Sequence, residues 1–264
     1  MRVGVRTDIG KVRRSNQDNY CVTRRLFAVA DGMGGSRAGE VASALAVESL
    51  ESHVFDDSSP ERSLLEAINE ANRRIYELAA QRPEYAGMGT TLTAAFFADD
   101  TVFIGHVGDS RAYLVTNGSI TQVTNDHSIV GELFRAGSLT EEEAMNHPQR
   151  NLLIQALGTD ERVSAEVHRA RVSIDDAVVL CTDGLSSLVS SEEIRDTLMV
   201  NDDPQKAADD LTEMALERGG HDNITVVVIY ALPGAPALEP AVEDAIPLEE
   251  SVSFESRLCG AAVD

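Results

Sequence analysis

Hydrophobic positions change period several times along the chain, and each change predicts an element. The apolar run Leu26-Phe-Ala-Val-Ala30 is too short for a helix and, with glycines close behind it, reads as a buried strand that delivers Asp31 to its end. Gly32, Gly34 and Gly35 then let the backbone turn sharply and come close to a ligand before Ala38 opens a helix over 38–54. A second helix starts with Ser59 as cap and Pro60 at its first position. Its Leu64, Ile68, Ala71, Ile75 and Leu78 recur at spacings of four and three. One apolar face on each places the two helices side by side on a sheet.

After Gly89-Thr-Thr the pattern becomes that of strands. Segments 92–98, 102–107, 112–116 and 120–123, the last two joined by an Asn117-Gly118 turn, predict an antiparallel meander. Weaker strands are expected at 3–7 and 19–23, with the polar loop 8–18 between them. Residues 126–160 are irregular, an excursion with short helices at 128–135 and after Thr140, where Glu143 has capping-box spacing. Strands return at 162–169 and 177–181, helices at 191–199 and 204–218, the second closed by Gly219-Gly220, and a last strand at 224–230.

Composition sets the limits of this domain. Half of the eight prolines (Pro233, Pro236, Pro240 and Pro247) fall in an Ala- and Glu-rich tail that buries too little apolar surface to offset the entropy of ordering. Residues 1–232 are therefore expected to fold and 233–264 to be disordered. The 264 residues, 43% hydrophobic, suffice for a sizeable core, while a formal charge of −22 argues against a nucleic-acid surface. No run approaches a membrane span, Met1-Arg-Val-Gly-Val lacks a secretory apolar segment, and three scattered cysteines (Cys21, Cys181, Cys259) suit a reducing cytoplasm, the first two as packing residues in apolar strands.

Five carboxylates need a separate explanation. Asp18, Asp31, Asp109, Asp183 and Asp222 all stand at a strand end or in a loop bordering one, several followed by Gly or Asn. Each alone has an ordinary reading as a turn or cap residue, and for Asp109, in Gly108-Asp109-Ser110-Arg111, the two readings are evenly balanced. Gathered together, like charges repel unless cations lie between them, and an all-oxygen set suits Mg or Mn rather than zinc. The chain has no His-Glu-x-x-His, Cys-x-x-Cys, phosphate-binding Gly-x-x-x-x-Gly-Lys-Ser/Thr loop or Gly-x-Ser-x-Gly elbow.

The ordered set Gly10-x-x-Arg13-x-x-Asn16-Gln17-Asp18, Asp31-Gly-Met-Gly-Gly, Gly89-Thr-Thr, Gly105-x-x-Gly108-Asp109-Ser110-Arg111, Thr182-Asp183-Gly184 and Asp222-Asn223-Ile-Thr225 resembles the metal-dependent protein phosphatases of the PPM, or protein phosphatase 2C, family in their short bacterial form. The resemblance covers about residues 1–231. It implies an α+β fold, a four-layer α/β/β/α sandwich of two antiparallel sheets flanked by helix pairs, with metals in a cleft at one end. It further implies two core Mn2+ or Mg2+ ions bridged by Asp31, with the Gly32 carbonyl and Asp18 on one and Asp183 and Asp222 on the other. Asp109 matches a ligand of a third, weaker ion, and Arg13 the arginine that holds substrate phosphate. The implied reaction is hydrolysis of phosphoserine and phosphothreonine by a metal-bridging water, without a phosphoenzyme. Phosphorylated proteins, the products of a serine/threonine kinase, are the implied partners of a monomeric, cytoplasmic enzyme.

Departures from the pattern are also visible. Ser36 and Met33 stand where relatives carry histidines, which leaves the general acid unassigned. Residues 126–158 resemble a flap beside the active site, with Gln155 in place of an arginine often found there. Two other readings stay open on the residues alone: a silent phosphatase-like binding module, and a phosphatase of small phosphate esters.

Overall fold

The computed structural model describes residues 1–34, 38–140, 143 and 147–231. Ser36, most of the helix expected after Thr140 and the tail 233–264 lie outside the described residues. Eleven strands are described: β1 Arg2–Asp8, β2 Asp18–Val22, β3 Leu26–Met33, β4 Gly89–Thr90, β5 Leu92–Ala98, β6 Thr101–Val107, β7 Arg111–Thr116, β8 Ser119–Gln122, β9 Glu166–Arg171, β10 Ala177–Cys181 and β11 Ile224–Tyr230. They form two antiparallel sheets, ordered β1-β11-β10-β7-β8 and β2-β3-β5-β6-β9, with β4 added to β3. Helices α1 (Ala38–Ser52) and α2 (Pro60–Gln81) cover the second sheet, and helices Ser191–Val200 and Pro204–Glu217 cover the first.

Three apolar layers hold this stack. Phe27, Val29, Phe97 and Ile104 of one sheet meet Val178, Leu180, Val227 and Ile229 of the other between the sheets. Leu64, Ile68, Ala71 and Ile75, the face read from the sequence, pack with Leu45 and Leu50 of α1 on the outer side of the second sheet. Leu211, Ala207 and Ile194 do the same for the first. Strands buried on both faces are continuously apolar, which is why Leu26–Ala30 and Val226–Ile229 show no alternation. Cys21 and Cys181 are free and buried in these layers. No described helix is long and apolar enough to cross a membrane.

The four-strand meander is corrected. β5 pairs with β6 in one sheet and β7 with β8 in the other, so the chain changes sheets at Gly108-Asp109-Ser110. Gly108 turns it there with φ of 108°, and a Cβ at this position would stand 2.6 Å from the Thr91 side chain. The strand expected at 162–169 is displaced to Glu166–Arg171, beginning where pairing with β6 begins at His106 and Glu166. The Asn117-Gly118 hairpin turn is as expected, both residues having positive φ. Ser59 precedes α2 without a side-chain capping bond.

Candidate active site

Strand ends from both sheets bring the five carboxylates to one edge of the sandwich. In the β2–β3 ladder Asp18 stands directly opposite Asp31, an arrangement of like charges that costs energy unless a cation intervenes. Asp183 follows β10 and opens the helical turn Asp183–Ser186, Asp222 precedes β11, and Asp109 sits at the sheet crossing. Arg13, Asp31, Gly32, Asp109, Asp183 and Asp222 line one cleft of about 190 Å3, with Gln17, Thr91, Asn151 and Asn223 among its other walls. Asp18 lies behind it, 7% exposed.

Glycines let these segments approach. A Cβ at Gly32 would be 2.1 Å from the Gly39 carbonyl of α1, one at Gly184 1.9 Å from the Asn223 carbonyl, and one at Gly10 2.2 Å from that of Asp222. Each pairing fixes a carboxylate-bearing segment against a neighbour through bare backbone.

Hydroxyls missed by sequence reading hold the ligands in place. Asp18 Oδ2 accepts from Thr182 Oγ1 at 2.8 Å and Thr225 Oγ1 at 2.7 Å. With its proton committed there, Thr225 accepts from Thr7 Oγ1 at 2.8 Å, and Thr7 accepts from Asn16 Nδ2 at 2.8 Å. The Asp31 backbone is gripped likewise: its N–H donates to Thr91 Oγ1 at 2.9 Å and its carbonyl accepts from Thr90 Oγ1 at 2.8 Å. These contacts give physical content to the Gly89-Thr-Thr and Thr182-Asp183-Gly184 motifs. Thr7 offered no signal, since a threonine in a half-buried strand is unremarkable.

The electrostatics are those of crowded anions. Burial first, then Asp183 and Asp222 against the opposing Thr225 and Thr182 bonds, pushes Asp18 up to about 7. Burial and then Asp222 raise Asp183 to about 6. Asp31 is held well above the carboxylate range by burial and by Asp18, Asp183, Asp109 and Asp222, and Asp109 by burial, Asp183 and Asp126. Arg13 Nη2 lies 2.6 Å from Asp222 Oδ2, with the guanidinium about half exposed at the cleft edge.

The donor set fits hard divalent cations. Asp18 Oδ1 and Asp183 Oδ1 are buried acceptors without a hydrogen-bond partner, an expensive condition that a cation relieves. Among the described residues no group of three or more His, Cys, Asp or Glu side chains is arranged to hold an ion by itself. The oxygen-only donors suit Mg2+ and its relatives, which keep several waters and take few carboxylates. No cysteine or histidine lines the cleft among the described residues, so neither a thiolate nucleophile nor an imidazole acid is present there.

The flap-like segment borders this cleft through Asn151 and Leu153. It carries helix α3, Ile129–Arg135, capped by Ser128, and is tied to the body by His127 N–H donating to Gly108 O at 2.7 Å and by the Thr90–Leu157 bridge. Gln155 accepts from Ser164 N–H at 3.0 Å and lies away from the cleft walls. A second hollow of about 320 Å3, lined by Arg111, Asn125, Phe134 and Arg150, shares Asp109, Asn151 and Asp183 with the cleft.

Known proteins resemble this one over nearly the whole described body. The family described as Protein phosphatase 2C matches residues 11–218. Serine/threonine phosphatase stp of Listeria welshimeri is 39% identical over 241 residues, 87% of this chain and 95% of that protein. Serine/threonine protein phosphatase PstP of Mycobacterium tuberculosis is 42% identical over 232 residues, 86% of this chain and 44% of PstP. The crystal structure of PstP matches with a TM-score of 0.83 at 40% identity, covering 88% of this chain and 98% of that one. The PstP catalytic domain in complex with two manganese ions matches with a TM-score of 0.80 at 39% identity, covering 88% and 98%. With the family matched over residues 11–218 and relatives 39–42% identical over most of its length, the chain belongs to the protein phosphatase 2C family of serine/threonine phosphatases.

Proposed function

We propose that the chain removes phosphate from phosphoserine and phosphothreonine in proteins phosphorylated by a serine/threonine kinase, at a centre of two core Mn2+ or Mg2+ ions and a third, weaker one. The observation that carries this reading is the convergence of Asp31, Asp183 and Asp222 on one cleft, with Asp18 buried opposite Asp31 and a guanidinium at the cleft edge. Asp31, the Gly32 carbonyl and Asp18 would hold one core ion, Asp31, Asp183 and Asp222 the other, and Asp109 the third. When bound, such ions neutralise phosphate oxygens and lower the pKa of a water. Arg13 binds the non-bridging phosphate oxygens and carries charge that a loose phosphoryl transition state needs. The Thr182 and Thr225 hydroxyls favour the ionised form of Asp18 against its burial and aim it, and the Thr90–Thr91 grip fixes Asp31.

The adjoining hollow supports a protein substrate over a small ester, because it gives the residues flanking a phosphorylated side chain a place against the flap. The buried free thiols of Cys21 and Cys181 support a reducing, cytoplasmic setting, and the acidic surface supports action without nucleic acid or membrane, as a monomer. The decisive assay compares an aryl phosphate with phosphothreonine peptides in Mn2+, Mg2+, Zn2+ and chelator. Turnover is expected with Mn2+ or Mg2+, with the peptide preferred, none in chelator, and no rescue by zinc. Undiminished turnover after exhaustive chelation would sink the metal-dependent reading, and a preference for the aryl ester would favour small substrates.

A further inference from the structure

Asn223 stands in the cleft wall, yet it is 5% exposed and every arm of its amide is taken up by backbone. Its Oδ1 accepts from Gln17 N–H at 2.9 Å, and its Nδ2 donates to Ile9 O and to Ser15 O, both at 3.0 Å. One carbonyl and two N–H groups are all that such a side chain offers in these directions. The three partners bracket Arg13 on both sides. Between them the chain from Lys11 to Ser15 is exposed, and Val12 is 63% exposed, so it has no core of its own. The remaining ties lie near the same ends: Gly10 N–H to Asp8 Oδ1 at 2.9 Å, Lys11 N–H to Gly220 O at 2.8 Å and Asn16 to Thr7.

We infer that Asn223 is a positioning residue for the phosphate-binding arginine: by clamping the two ends of the 9–17 loop it sets where the Arg13 guanidinium stands relative to Asp222. This rests on the reading of Arg13 as the phosphate ligand. Apart from the Arg13–Asp222 pair itself, this exposed loop is pinned only at its ends, so the loss of a pin is transmitted to its middle. The neighbouring residue, Asp222, pairs with the Arg13 guanidinium directly, while the Asn223 side chain is bonded to the loop backbone on either side of Arg13. Asn223 N–H donates to Asp222 Oδ1 at 2.8 Å, which couples the two only through backbone that a side-chain substitution leaves in place.

A double-mutant cycle tests this. Asn223→Ala and Arg13→Ala are made singly and together in the full chain. KM for a phosphothreonine peptide, inhibition by inorganic phosphate and Mn2+ affinity from melting titrations are measured for each. Asn223→Ala should raise KM and weaken phosphate inhibition about tenfold in the wild-type background, the scale of a modest misplacement. In the Arg13→Ala background it should change neither by more than about twofold, and Mn2+ affinity should stay within about twofold throughout. Equal effects of Asn223→Ala in both backgrounds, or Mn2+ affinity falling as far as phosphate binding, would overturn the inference. If Arg13→Ala binds phosphate as wild type does, the reading of Arg13 fails and this inference with it. If Arg13→Ala loses phosphate but Asn223→Ala does not, the inference alone fails. Should the alanine variant not fold, Asn223→Asp keeps the acceptor for Gln17 and removes both donors, and the same cycle is read with it.

Discussion

Arg13 lies 2.6 Å from the Asp222 carboxylate and, in the function proposed above, also meets the phosphate of a substrate. Arg13→Ala should therefore raise KM for phosphopeptides and lower kcat without weakening Mn2+ binding, because the substitution removes a positive charge from beside a cation site. Steady-state kinetics with Mn2+ melting titrations check this, and a matched loss of Mn2+ affinity would show a structural role instead. Asp109→Asn separates a turn residue from a ligand, since asparagine makes the same turn contact but lacks the charge. Turnover should fall about tenfold, or about 1.4 kcal/mol of transition-state stabilisation, and recover at higher Mn2+, while Mn2+ still raises the melting temperature through the other four carboxylates. Wild-type turnover at every Mn2+ concentration would return Asp109 to a turn role. The carboxylates were legible in the sequence because charge at the end of an apolar strand is expensive and demands a reason. The Thr7–Thr225–Asp18 chain was not, because neutral hydroxyls in strands cost little and draw no attention.

Strand and helix identity followed closely from hydrophobic period, but sheet membership did not. Alternation and burial report which faces are covered, and a Gly-Asp-Ser turn looks the same whether it closes a hairpin or carries the chain from one sheet to the other. Only the packing around Gly108 decides it, through positive φ and the close approach of Thr91. Gly108→Ala combines an unfavourable backbone conformation with a clash and is expected to destabilise by about 2–3 kcal/mol. Urea denaturation at saturating Mn2+ measures this. A loss under about 0.5 kcal/mol, the scale of an ordinary surface substitution, would mean that the crossing does not depend on glycine. The same crossing explains why the β5–β6 and β7–β8 hairpins, adjacent in sequence, each gain a partner from far along the chain, β9 and β10.

Acid should act on the whole molecule through a buried histidine. Burial first, then neighbouring His127, pushes His106 down to about 4, and its ring sits between Thr93 Oγ1 at 2.9 Å and Asn125 O at 3.0 Å. The unfolded chain takes up this proton below a pH of about 6.5 whereas the fold refuses it. Stability present above that pH is therefore lost as pH falls toward 4, by about 3 kcal/mol when complete. Comparing denaturant melts of wild type and His106→Gln across this window isolates the effect from the cleft carboxylates, whose raised values act in the opposite sense. Identical acid slopes would refute it. Removing 233–264, by contrast, is expected to leave the melting temperature and aryl phosphate turnover unchanged, given the composition of that segment.

The carboxylates are divided between the sheets: Asp18 and Asp31 belong to β2 and β3, while Asp183 and Asp222 flank β10 and β11. A cation shared among them would thus be a rivet through both layers at one end of the sandwich, in the manner of a cross-link that forms and dissolves with ionic conditions. At a hundred times its dissociation constant such a rivet adds about 2.7 kcal/mol to unfolding. Amide exchange should slow together at the cleft ends of β3 and β10, strands of opposite sheets, while their far ends exchange as before. Protection confined to one sheet would mean that the ions decorate a single layer rather than join two.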